Sequence, residues 1–158
     1  MKKYTIIFLW LLLPIAASAQ GADFNSLMKK YEGTESLTTF STTGKMLQQL
    51  SKNENSALAD IESLSIIATD EKKASDKQKL DSLKSDITAL LVKGKYEEVY
   101  SFSEDGTVVK IHLAKVKNTH RYRYIYLIEN YSVLKCIVFL QGDIDIGQVR
   151  KITSGLKK

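Results

Sequence analysis

From Tyr96 onward the apolar residues fall on alternate positions, and Asp105-Gly106 interrupts that alternation. An Asp-Gly pair between two alternating runs marks a two-residue hairpin turn, because both central positions of such a turn need positive φ. The turn aligns Phe102 with Val109 and Tyr100 with Ile111, so both apolar sets share one side of the sheet. The opposite side is expected to carry Val99 beside His112. A second alternation runs through HRYRYIYLIE, turns near Asn130-Tyr131 and returns through VLKCIVFLQ, with Gly142 ending the pair. These two hairpins commit the C-terminal half to antiparallel sheet.

Ahead of them the periodicity is helical. Phe24, Leu27, Met28 and Tyr31 follow Asp23, a suitable N-cap, and precede Gly33, a suitable stop. Ser36 to Thr43 is rich in threonine and reads as extended. Met46, Leu47 and Leu50 mark a second short helix, closed by the polar run Lys52 to Ser56. Ile61 to Thr69 reads as a strand, although a helical start would suit the same short apolar run. Ser75-Asp76-Lys77-Gln78 forms a capping box before Leu80, Leu83, Ile87, Leu90 and Leu91, which predicts a helix from Ser75 to Lys93. At the far end, Asp145 and Gln148 repeat the capping pattern before Ile146, Val149 and Ile152, predicting a terminal helix.

The first nineteen residues, MKKYTIIFLWLLLPIAASA, have the form of a secretory leader. Lys2 and Lys3 supply the basic end, Thr5 to Leu13 the apolar stretch, and Ala17-Ser18-Ala19 the small-residue cleavage site. The apolar stretch is shorter than the roughly 20 residues that span a bilayer. Residues 1–19 are therefore expected to be a cleaved signal peptide and residues 20–158 a single α+β domain, with no transmembrane anchor after cleavage. Export places the chain in the periplasm first, with the cell surface or release as further destinations, and removes cytoplasmic nucleotides and nucleic acid from its partners. The formal charge of +5 falls to +3 once Lys2 and Lys3 leave, too small and too scattered to define a basic surface. Cys136 is the one cysteine, so no internal disulfide forms, and its apolar strand context reads as core instead of reactive thiol.

The second hairpin carries the least ordinary surface. A turn at Asn130-Tyr131 would gather Ile125, Leu127, Leu134, Cys136, Val138 and Leu140 on the side facing the helices. It would place Tyr122, Tyr124, Tyr126, Ile137 and Phe139 on the other side, where a sheet covered on one face normally shows polar residues. Two readings of that aromatic face stand. Either another segment covers it, such as the Ser36 to Leu50 unit or a helix, or it is exposed, rimmed by Arg121 and Lys135, and takes an envelope protein, a twin subunit or a glycan. The interleaving His120-Arg121-Tyr122-Arg123-Tyr124 also has the form of a nucleic-acid stacking platform, which export argues against.

Taken together, DFNSLMKKY, GKMLQQL, ESLSII, KYEEVYSFSEDGTVVKI and CIVFLQGDIDIGQVRKI resemble the exported Bacteroidota family called domain of unknown function 4252. The likeness covers nearly the whole mature chain, and FLQGDIDIGQVRKI is its most telling piece. The resemblance implies an exported α+β domain of the cell envelope. It brings no catalytic residue, substrate or cofactor, and the Tyr122, Tyr124, Tyr126 strand departs from the family pattern.

Catalytic constellations are thin. His112 and His120 are the only histidines, and neither HExxH nor paired cysteines occur, so no metal is expected. No serine sits in a GxSxG turn. Glu97-Glu98 would point to opposite faces of a strand, and Asp143 and Asp145 are accounted for by helix capping. The expectation is a non-enzymatic, exported binding or assembly module without cofactor. Its α+β fold would be mainly antiparallel sheet, built from two C-terminal hairpins plus N-terminal strands, with helices packed on one face. The alternative is a hydrolase-like envelope enzyme, which a cleft joining His112 to Glu97 or Glu104 would favour.

Overall fold

The computed structural model describes residues 19–51, 60–70 and 77–147. In chain order they form α1 (Ala19–Tyr31), β1 (Leu37–Thr43), α2 (Gly44–Ser51), β2 (Ile61–Thr69), α3 (Lys77–Lys93), β3 (Glu97–Glu104), β4 (Thr107–Lys115), β5 (Tyr122–Asn130) and β6 (Val133–Gly142). Helix α1 begins at Ala19, so Asp23 lies inside it and does not cap it. Gly33 does end the unit, at φ 75°, a left-handed conformation that glycine adopts without steric cost. Residues 71–76, which include the Ser75-Asp76 half of the capping box, lie outside the described residues, as do the 52–56 polar run and the terminal helix beyond Gly147.

All six strands join one antiparallel sheet in the order β1-β2-β6-β5-β4-β3. The two hairpins lie side by side, and β2 adds to the free edge of β6 before β1 closes that end. Asp105 and Gly106 turn the first hairpin with φ of 47° and 78°, and Phe102 faces Val109 and Tyr100 faces Ile111 as the sequence predicts. The second turn sits one residue later than expected, at Tyr131-Ser132, with φ of 46° and 64°. Neither residue favours the left-handed region. Contact with the first turn holds them there: the Tyr131 amide donates to the Gly106 carbonyl at 2.8 Å, and its ring lies 2.6 Å from where a Cβ on Gly106 would stand.

Two bulges decide which side chains face which way. In β6, Glu129 pairs with Leu134 but Ile128 pairs with Cys136, so Lys135 is the extra residue of a bulge. The Lys135 carbonyl accepts the hydroxyl of Thr69 at 3.2 Å. One extra residue reverses the parity of everything after it. Leu134 faces the helices as expected, but beyond it the expectation reverses: Ile137 and Phe139 turn to the helices, and Val138 and Leu140 turn to the tyrosine side. In β3, Val99 is the extra residue, which brings Glu98, and not Val99, opposite His112.

Helices α1 and α3 cover one face, as expected. Phe24, Leu27, Tyr31, Leu80, Leu83, Ile87 and Leu90 bury against Ile67, Ile125, Ile137 and Phe139 there. Phe24 stacks on Phe139 with ring centroids 4.5 Å apart. Burial of each such side chain contributes about 1.5–3 kcal/mol before the entropy of ordering is set against it. The short α2 differs and lies on the opposite face, where Leu47 joins Ile61, Ile111, Tyr124, Tyr126, Leu140 and Ile144 in a second core.

Candidate functional site

Strand alternation turns Tyr122, Tyr124 and Tyr126 away from α1 and α3, and the second core then closes over two of them. Tyr124 is 1% and Tyr126 3% exposed. Tyr122 is half-buried, its ring tilted against that of Tyr124 at 6.3 Å. The Tyr124 hydroxyl donates to the Ile144 carbonyl at 2.6 Å, whereas the buried Tyr126 hydroxyl has no partner. Burial raises both phenols, Tyr124 to about 12. Of the two readings, coverage holds for the central tyrosines, which share a buried core with Leu47 of α2 and with Ile144 after β6.

The remaining residues of that predicted surface scatter. Ile137 and Phe139 are buried on the opposite face under the helices. Arg121 is exposed just before β5 and pairs with Glu62 at 2.7 Å. Lys135 lies at the other end of the hairpin, in the bulge. The tyrosines are thus brought together with Arg121 near one end of their strand, while Ile137, Phe139 and Lys135 are not.

The same face carries an apolar surface elsewhere. A rank of directly paired residues, Phe40, Ile66, Val138, Tyr126, Ile111 and Tyr100, crosses all six strands. The next rank toward the hairpin turns is Thr38, Ala68, Cys136, Ile128, Val109 and Phe102. Ile66, Val138, Ala68, Cys136, Ile128, Val109 and Phe102 all stay partly exposed, and Phe40 is 52% exposed. Phe40, which the sequence marks with Leu37 only as part of an extended segment, is the residue whose exposure sequence reasoning missed. A lone phenylalanine among threonines and serines at alternating register is the signal that would have found it. Burial raises the Cys136 thiol, which lowers its thiolate fraction and its reactivity.

On the helix-covered face, α3 and the β4–β5 pair enclose a cavity of about 180 Å³ with His112 in its wall and Ile87, Leu91, Leu127 and Leu134 around it. Lys84 pairs with Glu129 at 2.8 Å across its mouth. The β3 bulge sets Glu98 beside His112, with Nε2 and Oε2 3.8 Å apart and Lys110 3.9 Å from the same carboxylate oxygen. Burial lowers the His112 pKa, against the smaller opposing pull of Glu98, and so favours the neutral ring. The 3.8 Å gap is too long for a hydrogen bond. Thr88, the α3 hydroxyl in the same cavity wall, donates to the Lys84 carbonyl at 2.8 Å within its own helix. Among the described residues no cluster of three or more His, Cys, Asp or Glu side chains suits a metal ion, and no helix is long and apolar enough to cross a membrane.

The family described as domain of unknown function 4252 matches residues 18–152. No curated protein and no solved structure matches the chain.

Proposed function

This chain belongs to the family described as domain of unknown function 4252, and from that premise we propose that it is an exported, non-catalytic binding or assembly module of the cell envelope. The observation that carries the reading is the apolar rank on the sheet face opposite α1 and α3 that stays partly exposed from Phe102 to Ala68, beside the partly exposed Val138 and Ile66 and the open Phe40. A sheet face left this apolar suits contact with another surface better than contact with water. Export rests on the leader: a basic Lys2-Lys3 end, an apolar run and Ala17-Ser18-Ala19. The family match begins at residue 18, beside the Ala19-Gln20 junction. Periplasmic residence follows first, and the partner classes are an envelope protein, a twin subunit or a glycan.

Affinity capture from an envelope extract tests the module reading, with Phe102→Ser combined with Ile128→Thr as the comparison. Both side chains sit on the partly exposed rank and neither is a buried tyrosine. A folded variant that loses the partners of the parent supports the module; an unchanged partner list overturns it. Finding the untrimmed chain in the cytosol on cell fractionation would overturn export.

A second reading, a hydrolase-like envelope enzyme, has one observation in its favour: His112 stands in the wall of a cavity with the Glu98 carboxylate 3.8 Å away. Hydrolysis of envelope esters, peptides or glycans that disappears in both His112→Gln and Glu98→Gln would establish it. Absence of turnover on such a panel would remove it.

A further inference from the structure

We infer that β1 is a self-pairing edge, through which a second copy of this chain extends the sheet by antiparallel addition of its own β1. The inference rests on the module reading and names its partner. Strands β1 and β3 are the two edges of the sheet, and they are built differently. Strand β3 carries Glu97, Glu98 and Glu104 and is broken by the Val99 bulge, the devices by which edges avoid unwanted pairing. Strand β1, LTTFSTT, has no charge, no proline and an unbroken register over its seven residues. Among the described residues, no strand pairs with its outer side.

What identifies the partner as a second copy is the near-palindrome of β1 about Phe40. A two-fold axis at Phe40 pairs Thr39 with Ser41 and Thr38 with Thr42 of the other copy, and sets the two Phe40 residues against each other. A two-fold interface requires such self-complementarity. Paired threonine and serine side chains stabilise antiparallel neighbours, as aromatic pairs do. Phe40 is 52% exposed at the centre of the strand and at the open end of the apolar rank. Its pairing would join the partly exposed Phe40, Ile66 and Val138 of two copies into one apolar surface.

Light scattering on protein purified from cells expressing the full chain tests this, with Phe40→Lys as the variant. The axis would set two lysines face to face, so the expected result is a dimer whose mass halves in Phe40→Lys while far-ultraviolet circular dichroism stays unchanged and thermal unfolding stays cooperative, at a somewhat lower temperature because association no longer adds to stability. If Phe40→Lys fails to fold, oxidation of Phe40→Cys and Thr38→Cys, each in a Cys136→Ser background, decides. Phe40→Cys is expected to cross-link into a covalent dimer. Thr38→Cys is expected not to, since four residues at about 3.4 Å each put the two position-38 Cα atoms roughly 14 Å apart, and disulfides need less than about 7 Å. A monomeric parent, a dimer insensitive to Phe40→Lys, or equal cross-linking at both positions would overturn β1 pairing. None of these results touches the capture test, whose substitutions lie on β3 and β5, so the two failures are distinguishable.

Discussion

Tyr124 and Ile144 are joined by a buried hydrogen bond of 2.6 Å from phenol to carbonyl, while Tyr126, two residues along the same strand, buries its hydroxyl without a partner. The bond fastens the segment after β6 onto the second core, and Ile144 is itself 1% exposed. Two chemically identical substitutions should therefore differ in effect. Tyr124→Phe strands a buried carbonyl and is expected to cost about 1–3 kcal/mol in urea unfolding. Tyr126→Phe removes an unsatisfied polar atom and is expected to be neutral or mildly stabilising. Equal losses in the two variants would mean that the Tyr124 bond adds nothing.

Stability should fall at both ends of the pH range. The pKa of Asp86 is lowered by hydrogen bonds from Lys30 at 2.5 Å and Tyr31 at 2.7 Å, and that of His112 is lowered by burial. Groups lowered in the folded state bind protons more readily when unfolded, so their contribution is present at neutral pH and lost on acidification. The loss begins as pH drops below about 6.5 through His112 and continues below about 3.8 through Asp86. His112→Gln should remove the upper phase and Asp86→Asn the lower, the latter being small because Asp86 is one-third exposed. In alkali the sign reverses. Tyr31, Tyr124 and Tyr126 are all raised, chiefly by burial, so their contribution is intact below pH 10 and declines above it as the unfolded chain ionises first. A phenolate absorbance titration should show these tyrosines ionising only with unfolding; their titration with the exposed ones would contradict the burial.

Removal of Lys135 should be far more damaging than its truncation. Deletion erases the bulge and would send Ile137, Phe139, Val138 and Leu140 to the wrong faces at once, so no cooperative thermal transition is expected. Lys135→Ala keeps the extra residue and the carbonyl that accepts Thr69, and is expected to cost less than about 1 kcal/mol. A deletion variant that unfolds cooperatively near the parent temperature would show that β6 can choose the other parity.

At Gly142, where β6 meets β2, a Cβ would run into the Asp60 carbonyl, and the Asp143 amide donates to that same carbonyl at 3.1 Å. Backbone on both sides leaves no flexible atom to give way. Gly142→Ala is expected to destabilise by about 1–3 kcal/mol, the usual range for overpacking. Gly33→Ala, with open space around its Cβ, should show only the smaller penalty of a left-handed backbone, about 1–2 kcal/mol.

Local chemistry alone determined much of this protein. Asp105-Gly106 admits positive φ at both positions and so dictated the first hairpin and its pairing of Phe102 with Val109, and the spacing of Leu80, Leu83, Ile87 and Leu90 determined the buried face of α3. Membership of its family was legible in the same way, from short apolar patterns in order along the chain. The Tyr131-Ser132 turn was not legible, because its left-handed residues are held by the neighbouring hairpin instead of by their own preference. Nor were the bulges at Val99 and Lys135, since an extra strand residue leaves no mark in an alternation that reads apolar in either register. From those two residues came the features of functional interest: Glu98 beside His112, and a tyrosine face backed by Val138 and Leu140 in place of Ile137 and Phe139. Which strands became edges, and hence the exposure of Phe40, was likewise decided only when β2 took its place beside β6, because strand order depends on contacts between segments far apart in the chain.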